Sequence, residues 1–280
     1  MPFAMHSNSS TPIPIQFRNS LFAKVRLGPA GIHLFDRTSG MNLLLDEAIP
    51  PKAVWTIAPR QVSIALTNSC DLACPHCYAP KSKAMLTFQQ LTSWLQELDA
   101  NGTIGVGFGG GEPTLHPEFA RVCAYAAQET RLAVTFTSHG HHLDDSMLSS
   151  LKCNVHFVRL SMDGIGATYE RLRGRPFASF CQKLRALREI ASFGINYVVN
   201  SDTLPEIDSA AAFAEKMGAV EFLLLPEWPV HGRHGISSAD ALSLQEWVRR
   251  FSGTLRLSIS ELDSQHMPTC DPFLSETGLR

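Results

Sequence analysis

Three closely spaced cysteines are the residues of this chain that most clearly indicate chemistry. Cys70, Cys74 and Cys77 follow the pattern C-x3-C-x2-C, and three thiolates so close along a chain can surround one metal centre. A closed zinc site needs a fourth ligand, usually from a second Cys or His pair. A four-iron cluster can use three thiolates and leave one iron open to another ligand. The spacing therefore predicts a metal centre, with zinc and iron–sulfur both open.

The composition is that of an ordinary globular protein. The chain has 280 residues, of which 44% are hydrophobic and 18% charged, and its formal net charge is −2. This charge does not favour binding to nucleic acid or to an anionic membrane. No apolar run is long enough to cross a bilayer, and residues 1–15 lack the features of a secretory signal. Seven unevenly spread cysteines do not resemble a disulfide framework, so we expect a cytoplasmic protein.

Short apolar runs alternate with helical patterns from residue 61 onward. Six such repeats in a row predict a parallel sheet with helices packed outside it, and the run is too short for a closed eight-fold barrel. The predicted fold class is α/β, a partial (β/α)6 TIM-like barrel. The predicted strands are 62–67, 104–109, 132–137, 155–161, 195–200 and 220–225. The predicted helices are one beginning after Thr87 and those at 118–128, 145–151, 177–193 and 208–217.

Smaller segments flank the predicted barrel. Residues 21–47 form a β pattern with Gly-Pro turns, which predicts a hairpin or meander. Ser243-Leu-Gln-Glu246 has the form of a capping box and predicts one further helix. We therefore expect a tail and hairpin over 1–58, the barrel over 59–229, and a C-terminal helix and tail over 230–280. The hairpin and the C-terminal segment are expected to cover the open side of the barrel.

Unusual residues follow the ends of several predicted strands. In parallel β/α folds ligands bind at the carboxyl ends of the strands, so these residues are expected to share one rim. The segments concerned are the cysteine motif, Gly109-Gly110-Gly111-Glu112-Pro113, Ser138-His139-Gly140, Ser161-Met162-Asp163-Gly164, Asn200 and Pro226-Glu227-Trp228.

The cysteine motif together with Gly110-Gly111-Glu112-Pro113 resembles the radical S-adenosylmethionine (SAM) superfamily over roughly residues 61–228. The resemblance implies that Cys70, Cys74 and Cys77 hold one [4Fe–4S] cluster and that SAM chelates its fourth iron. It implies reductive cleavage of SAM to a 5′-deoxyadenosyl radical, which abstracts hydrogen from a substrate. An electron donor such as flavodoxin or ferredoxin is expected as a partner.

The resemblance also implies which residues bind SAM. Gly110, Gly111 and Glu112 would hold the methionine amino group. Arg173 occupies a place where some family members put an arginine on the SAM carboxylate. A solvated loop charge is the alternative for Arg173.

Four further parts of the rim are expected to contact the nucleoside of SAM by the same resemblance. Ser161 and Asn200 match ribose contacts, with a turn or strand-end role as their alternatives. His76 matches the position next to adenine, with Tyr78 as the neighbouring alternative. Leu225 would offer backbone contacts to adenine.

The sequence departs from its relatives in two places. Relatives often have Thr-Asn-Gly where this chain has Ser138-His139-Gly140, which leaves the role of His139 open. Longer peptide-modifying relatives carry a cysteine-rich C-terminal (SPASM or Twitch) extension, whereas this chain has only Cys270 there. We therefore expect a single cluster, with Cys270 as a tentative catalytic residue. His231 and His234 are interpreted as loop residues or substrate contacts.

The substrate is the least determined part of the prediction. A peptide or protein undergoing modification is the first hypothesis, and a small metabolite or nucleotide is the second. A glycyl-radical activase is a third possibility. From a different class, the chain could be a non-catalytic iron–sulfur or zinc module for interaction or sensing, although such a module has no use for the Gly-Gly-Glu-Pro segment.

Overall fold

A computed structural model of the chain describes residues 24–230 and 232–259. These residues form two sheets. The first is an antiparallel meander of β1 (Lys24–Gly28), β2 (Gly31–Phe35) and β3 (Asn42–Leu45) in that order. Among the described residues, no helix is both long and apolar enough to cross a membrane.

The second sheet has seven parallel strands with helices between them. Its spatial order is β10-β9-β8-β7-β6-β5-β4, so each strand lies beside the next one in sequence. The strands are β4 (Gln61–Thr67), β5 (Gly105–Gly110), β6 (Ala133–Ser138), β7 (Phe157–Ser161), β8 (Phe193–Val199), β9 (Glu221–Pro226) and β10 (Arg256–Ile259). The helices are α1 (Phe88–Ala100), α2 (Phe119–Glu129), α3 (Asp145–Leu151), α4 (Gly166–Arg173), α5 (Phe177–Arg188), α6 (Ile207–Met217) and α7 (Ser238–Arg250).

The two faces of this sheet have different compositions. Alternate residues such as Val106, Phe108 and Leu160 are almost fully buried against the helices. The opposite, concave face carries small and polar residues, including Gly105 and Gly107 on β5. Because strand side chains alternate between faces, the apolar residues build the core and leave the inner face free for a site.

The predicted start of α1 is confirmed. The Thr87 hydroxyl accepts a hydrogen bond from the Gln90 backbone N–H, and the Gln90 side chain accepts one from the Thr87 N–H. Leu91 and Leu95 then lie on the buried side of the helix. This reciprocal cap satisfies two donors that a helix terminus otherwise leaves unpaired.

A seventh strand, β10, corrects the predicted count of six. Arg256–Ile259 pairs with β9 in parallel, although four residues gave too short a pattern to predict a strand. The helix α7 therefore belongs to a further β-α-β unit, and the sheet continues past the predicted boundary at 229.

Two predicted helices have different bounds in the structure. The helix expected over 177–193 ends at Arg188, and Phe193 already begins β8. The helix α7 begins after Ser237, whose hydroxyl accepts a hydrogen bond from the Asp240 N–H. The predicted cap, Ser243, lies inside the helix and donates to the Ala239 carbonyl. A Ser-x-x-Glu pattern within an amphipathic stretch thus led to a start that was too late.

The meander contacts the N-terminal ends of the strands rather than the open side of the barrel. Arg26 donates to the carbonyls of Ala58 and Gly102, just before β4 and β5. Arg37 donates to the carbonyls of Thr130 and Leu132, before β6. The expectation that this segment covers the open side is therefore wrong, because its arginines bind carbonyls at the opposite end from the rim.

Candidate active site

The three cysteines lie in a loop that begins where β4 ends. Hydrogen bonds from Asn68 N to Ala84 O and from Leu86 N to Leu66 O close this loop at its base. All three cysteine residues are half-buried free thiols. Burial raises the pKa of the Cys74 thiol, although Arg173 opposes this effect. A metal that binds thiolates would offset this cost of ionisation.

Two glycines hold the Gly-Gly-Glu segment against the cysteine loop. A Cβ on Gly110, whose φ is +118°, would lie 2.2 Å from the Thr67 carbonyl oxygen. One on Gly111 would lie 2.2 Å from the Ser69 carbonyl oxygen. Only glycine therefore allows the two backbones to approach so closely. Gly109 differs, since open space surrounds the position of its missing Cβ.

Glu112 is buried and its carboxylate is fixed by protein donors. Its Oε1 accepts hydrogen bonds from the Thr114 N–H and hydroxyl and from the Ser138 hydroxyl, at 3.2, 2.6 and 2.8 Å. Its Oε2 accepts one from the His139 N–H at 2.9 Å. Since a carboxylate offers about four lone-pair positions, the less occupied Oε2 retains capacity for an ammonium group.

His139, directly after β6, contacts the cysteine loop. Its Nε2 lies 2.9 Å from Asp71 Oδ1 and 3.4 Å from Glu112 Oε2. Asp71 also meets His142 and Arg175, at 3.2 and 3.0 Å. Burial acts to raise the pKa of Asp71, but these partners hold it well below its usual range. In this chain His139 therefore ties the loop residue next to Cys70 to the rim.

A second buried carboxylate, Asp163, organises the other side of the rim. Its Oδ2 lies 2.5 Å from Arg173 Nη2 and 2.9 Å from His76 Nε2. Its Oδ1 accepts from the Val198 N–H. Burial acts to raise the pKa of Asp163, but Arg173 and His76 keep it below its ordinary value. Arg173 Nη1 also lies 3.5 Å from Cys74 Sγ, so this group reaches the cysteine loop.

The predicted alternative for Arg173, a solvated loop charge, is wrong. The side chain is 10% exposed and lies in the last turn of α4, a helix that the sequence analysis did not predict. The positive φ of Gly174 ends that helix. The helix thus carries Arg173 back toward the cysteines instead of into solvent.

Several buried polar atoms at the rim lack a hydrogen-bond partner within the described residues. They include His76 Nδ1, Arg173 Nε and Asn196 Oδ1. Buried polar atoms are usually paired, so a polar ligand that supplies partners fits here. The zwitterionic and nucleoside groups of SAM, beside a cluster on the three thiolates, would supply such partners to His76 and Arg173.

The other predicted contacts have mixed surroundings. Ser161 and Leu225 are half-buried at the ends of β7 and β9, whereas Tyr78 is 83% exposed. Asn200 is buried and donates to Glu227 Oε2 at 2.6 Å, while its own oxygen accepts from the Thr203 N–H. The cofactor roles of these residues stay predictions. Cys270 and His231 lie outside the described residues, and His234 is exposed.

Sequence reasoning did not assign roles to Asp163 and Asn196. Asp163 belongs to the noted Ser161-Met162-Asp163-Gly164 segment, where turn chemistry was an adequate explanation. Asn196 interrupts the apolar strand β8, and a polar residue on the inner face of such a strand was an available signal.

Comparison with known proteins identifies relatives of this arrangement. The family model described as Radical SAM superfamily matches residues 64–215. The chain is 31% identical over 172 residues to mycofactocin maturase MftC of Mycobacterium ulcerans, which covers 58% of this chain and 46% of the relative. It is 29% identical over 171 residues to the PqqA peptide cyclase of Gluconobacter oxydans, covering 58% of this chain and 47% of the relative.

Two further similarities extend the comparison. The AdoMet-dependent heme synthase of Methanosarcina barkeri is 26% identical over 223 residues, covering 75% of this chain and 64% of the relative. The structure of Streptococcus suis SuiB bound to precursor peptide SuiA superposes with a TM-score of 0.68 at 17% identity, covering 85% of this chain and 71% of the other. This last similarity shows the partial-barrel fold.

The chain spans about half the length of the maturase and the cyclase. Its matching segment nevertheless contains the cysteine loop, Glu112 and Asp163. Superfamily members are enzymes whose cofactors are a [4Fe–4S] cluster and SAM. The family match over more than half of the chain establishes that this protein belongs to the radical SAM superfamily.

Proposed function

We propose that the chain modifies a peptide by radical SAM chemistry. The observation that supports a catalytic site is the meeting of Arg173 with both Asp163 and Cys74. This contact connects a buried carboxylate on the rim with the cysteine loop, and a purely structural metal site does not require it.

The residues have distinct proposed roles. Cys70, Cys74 and Cys77 would hold the cluster, which would supply the electron that cleaves SAM. Glu112 Oε2 would accept a hydrogen bond from the SAM ammonium group. The unpaired Nε of Arg173 would donate to the SAM carboxylate.

Further residues of the rim position these groups and exclude water. Asp163 orients the Arg173 guanidinium and the His76 ring. His76 Nδ1, which lacks a partner, remains for the nucleoside. Closure around a reactive carbon prevents side reactions, and the inner face of the sheet supplies the space for a substrate.

A peptide is the preferred substrate because of what the relatives act on. The cyclase is named for a peptide, and SuiB, which has the same fold, was solved with a precursor peptide. A small-molecule substrate is the second candidate, since the heme synthase matches a longer part of this chain. An electron donor such as flavodoxin or ferredoxin and a cytoplasmic location are part of the proposal.

Deuterium transfer distinguishes the two substrate classes. Source cells are grown in deuterated medium, and their extract is separated into a peptide fraction and a metabolite fraction. Each fraction is incubated with the reconstituted, reduced protein and SAM, and deuterium in 5′-deoxyadenosine is measured by mass spectrometry. We expect transfer from the peptide fraction and its loss after protease treatment. Transfer from the metabolite fraction alone would overturn the peptide proposal.

A further inference from the structure

A charged cluster lies inside the barrel, below the rim. Glu221 is almost fully buried, and its Oε1 accepts a hydrogen bond from Arg159 Nε at 2.9 Å and lies 2.8 Å from Arg159 Nη2. Its Oε2 accepts one from Arg256 Nη2 at 2.7 Å. The three side chains therefore form an Arg–Glu–Arg cluster that connects β7, β9 and β10.

The register of the sheet places this cluster on the inner face. Val158 and Leu160, the neighbours of Arg159, are fully buried in the core beneath the helices, so Arg159 points to the other side of the sheet. The same register row is occupied by Thr137, Arg159, Gly194, Glu221 and Arg256.

Gly194 allows the cluster to form. It lies on β8, between the strands that carry Arg159 and Glu221. A Cβ at this position would lie 3.0 Å from Glu221 Cβ. A larger residue on β8 would therefore crowd the buried carboxylate that Arg159 reaches.

The cluster carries two positive charges against one negative charge. A guanidinium has five N–H donors, and the contacts with Glu221 use two of Arg159 and one of Arg256. The two side chains are 31% and 53% exposed. They therefore retain donors and an uncompensated charge for an anion that enters the barrel.

The position relative to the rim fits a substrate. Ser161, the predicted ribose contact, is two residues beyond Arg159 on the same face, about 7 Å along the strand. Asn196 pairs with Ser161 in register, and its buried Oδ1 lacks a partner. The register row of Ser161 thus offers the Asn196 amide oxygen as an acceptor, and the row below it offers the two cations Arg159 and Arg256.

We propose that Arg159 and Arg256, held by Glu221, bind a carboxylate of the substrate inside the barrel, and that Asn196 Oδ1 accepts an N–H from the same molecule. This subsite rests on the proposed function in one respect, since it assigns to the peptide a carboxylate that enters the barrel. The carboxylate is the C-terminus of the peptide or an Asp or Glu side chain. Planar guanidinium groups recognise carboxylates through paired hydrogen bonds.

Arginine labelling of the reconstituted protein with SAM tests the subsite. Phenylglyoxal modification of each arginine is followed by mass spectrometry. Three probes are compared, each at millimolar concentration: acetyl-trialanine, its carboxamide, and acetyl-Ala-Glu-Ala-amide. We expect at least one carboxylate probe to slow the labelling of Arg159 and Arg256 by about fivefold, whereas the carboxamide has no effect. The two carboxylate probes distinguish a C-terminus from a side chain. Arg185, exposed on α5, should label equally in all samples.

A matched pair of variants completes the test. Arg256→Gln leaves the Arg159–Glu221 pair intact but removes the excess charge, so carboxylate protection of Arg159 should disappear. Arg185→Gln should retain it. Equal labelling with carboxylate and carboxamide probes in the wild-type protein would overturn the proposal and leave the cluster as a structural ion pair.

5′-Deoxyadenosine formation is measured in the same samples. Formation without carboxylate protection contradicts the subsite alone. Protection without formation contradicts the proposed activity and leaves the subsite standing.

Discussion

The two sides of the rim differ in how their polar groups are satisfied. On the β4–β6 side, Glu112 is held by four hydrogen bonds from Thr114, Ser138 and His139. Around Asp163, which follows β7, Arg173 and the cysteine-loop residue His76 share one carboxylate and keep unpaired nitrogen atoms. The Glu112 carboxylate is thus already fixed by the protein, whereas Arg173 and His76 keep nitrogen atoms that can hydrogen-bond to a ligand.

The largest effect is expected from Asp163→Asn, which removes the anion between Arg173 and His76. Breaking a buried ion pair by removing one partner costs about 3–5 kcal/mol. We expect a lower free energy of unfolding and a loss of most 5′-deoxyadenosine formation. Both are measured on anaerobically reconstituted protein.

Asp202→Asn is the matched control for that substitution. The Asp202 carboxylate contacts Arg171, whose side chain is 56% exposed. Because exposed pairs contribute about 0–1 kcal/mol, this variant should behave like the wild type. Similar losses in the two variants would contradict the role given to Asp163.

A pair of glycine substitutions compares support with open space on one strand. Gly110→Ala introduces a left-handed strain and a contact with the Thr67 carbonyl, so we expect it to cost about 3 kcal/mol. Gly109→Ala enters open space and should cost less than about 1 kcal/mol. Urea unfolding curves give both values, and equal costs would rule out a specific close approach at Gly110.

Glu112→Gln tests the role of the Glu112 carboxylate without changing the shape of the side chain. The amide retains one oxygen but would turn an N–H₂ group toward an N–H or hydroxyl donor. An unsatisfied buried donor costs about 1–3 kcal/mol, so we expect moderate destabilisation and weaker SAM binding. Glu189→Gln, at an exposed position, serves as the control. Unchanged SAM affinity in Glu112→Gln would contradict the ammonium role.

The smallest effect concerns pH and His141. Burial lowers the pKa of His141 from 6.5 to about 4, and its Nε2 lies 3.1 Å from the Tyr169 hydroxyl. Between those values the unfolded chain binds more protons than the folded chain, so the free energy of unfolding falls as pH drops from 6.5 toward 4.

The stabilisation from neutral His141 is fully present above pH 6.5. In His141→Gln, the loss in the free energy of unfolding between pH 6.5 and 4 should be smaller than in the wild type by about 1–2 kcal/mol. The check is urea unfolding at several pH values between 6.5 and 4. Parallel profiles for wild type and variant would show that His141 does not titrate as stated.

The same comparison explains what the sequence could predict. The cysteine loop and Gly110 to Glu112 are short segments, and their residue types and spacing were enough to predict the site. The alternation of apolar runs with helical patterns was enough to predict the partial barrel. The pairing of Asp163 with His76 and Arg173 joins residues far apart in sequence. It also depends on α4, whose polar eight-residue pattern gave no helix prediction.

The inner charges of the barrel were equally inaccessible to sequence reasoning. Arg256 lies on β10, a strand too short to identify from its pattern, and Glu221 opens β9. Only the register across β8 shows that these residues share a row with Arg159. Local patterns thus predicted the elements, whereas the contacts between distant elements required the structure.

The central claim is that the cysteine loop and the rim form one radical SAM site. The direct measurement is 5′-deoxyadenosine formed from SAM by the anaerobically reconstituted and reduced protein, beside a Cys77→Ala variant. The account predicts product from the wild type and none from the variant. Zinc in the purified protein, with no iron–sulfur absorbance and no product, would contradict it.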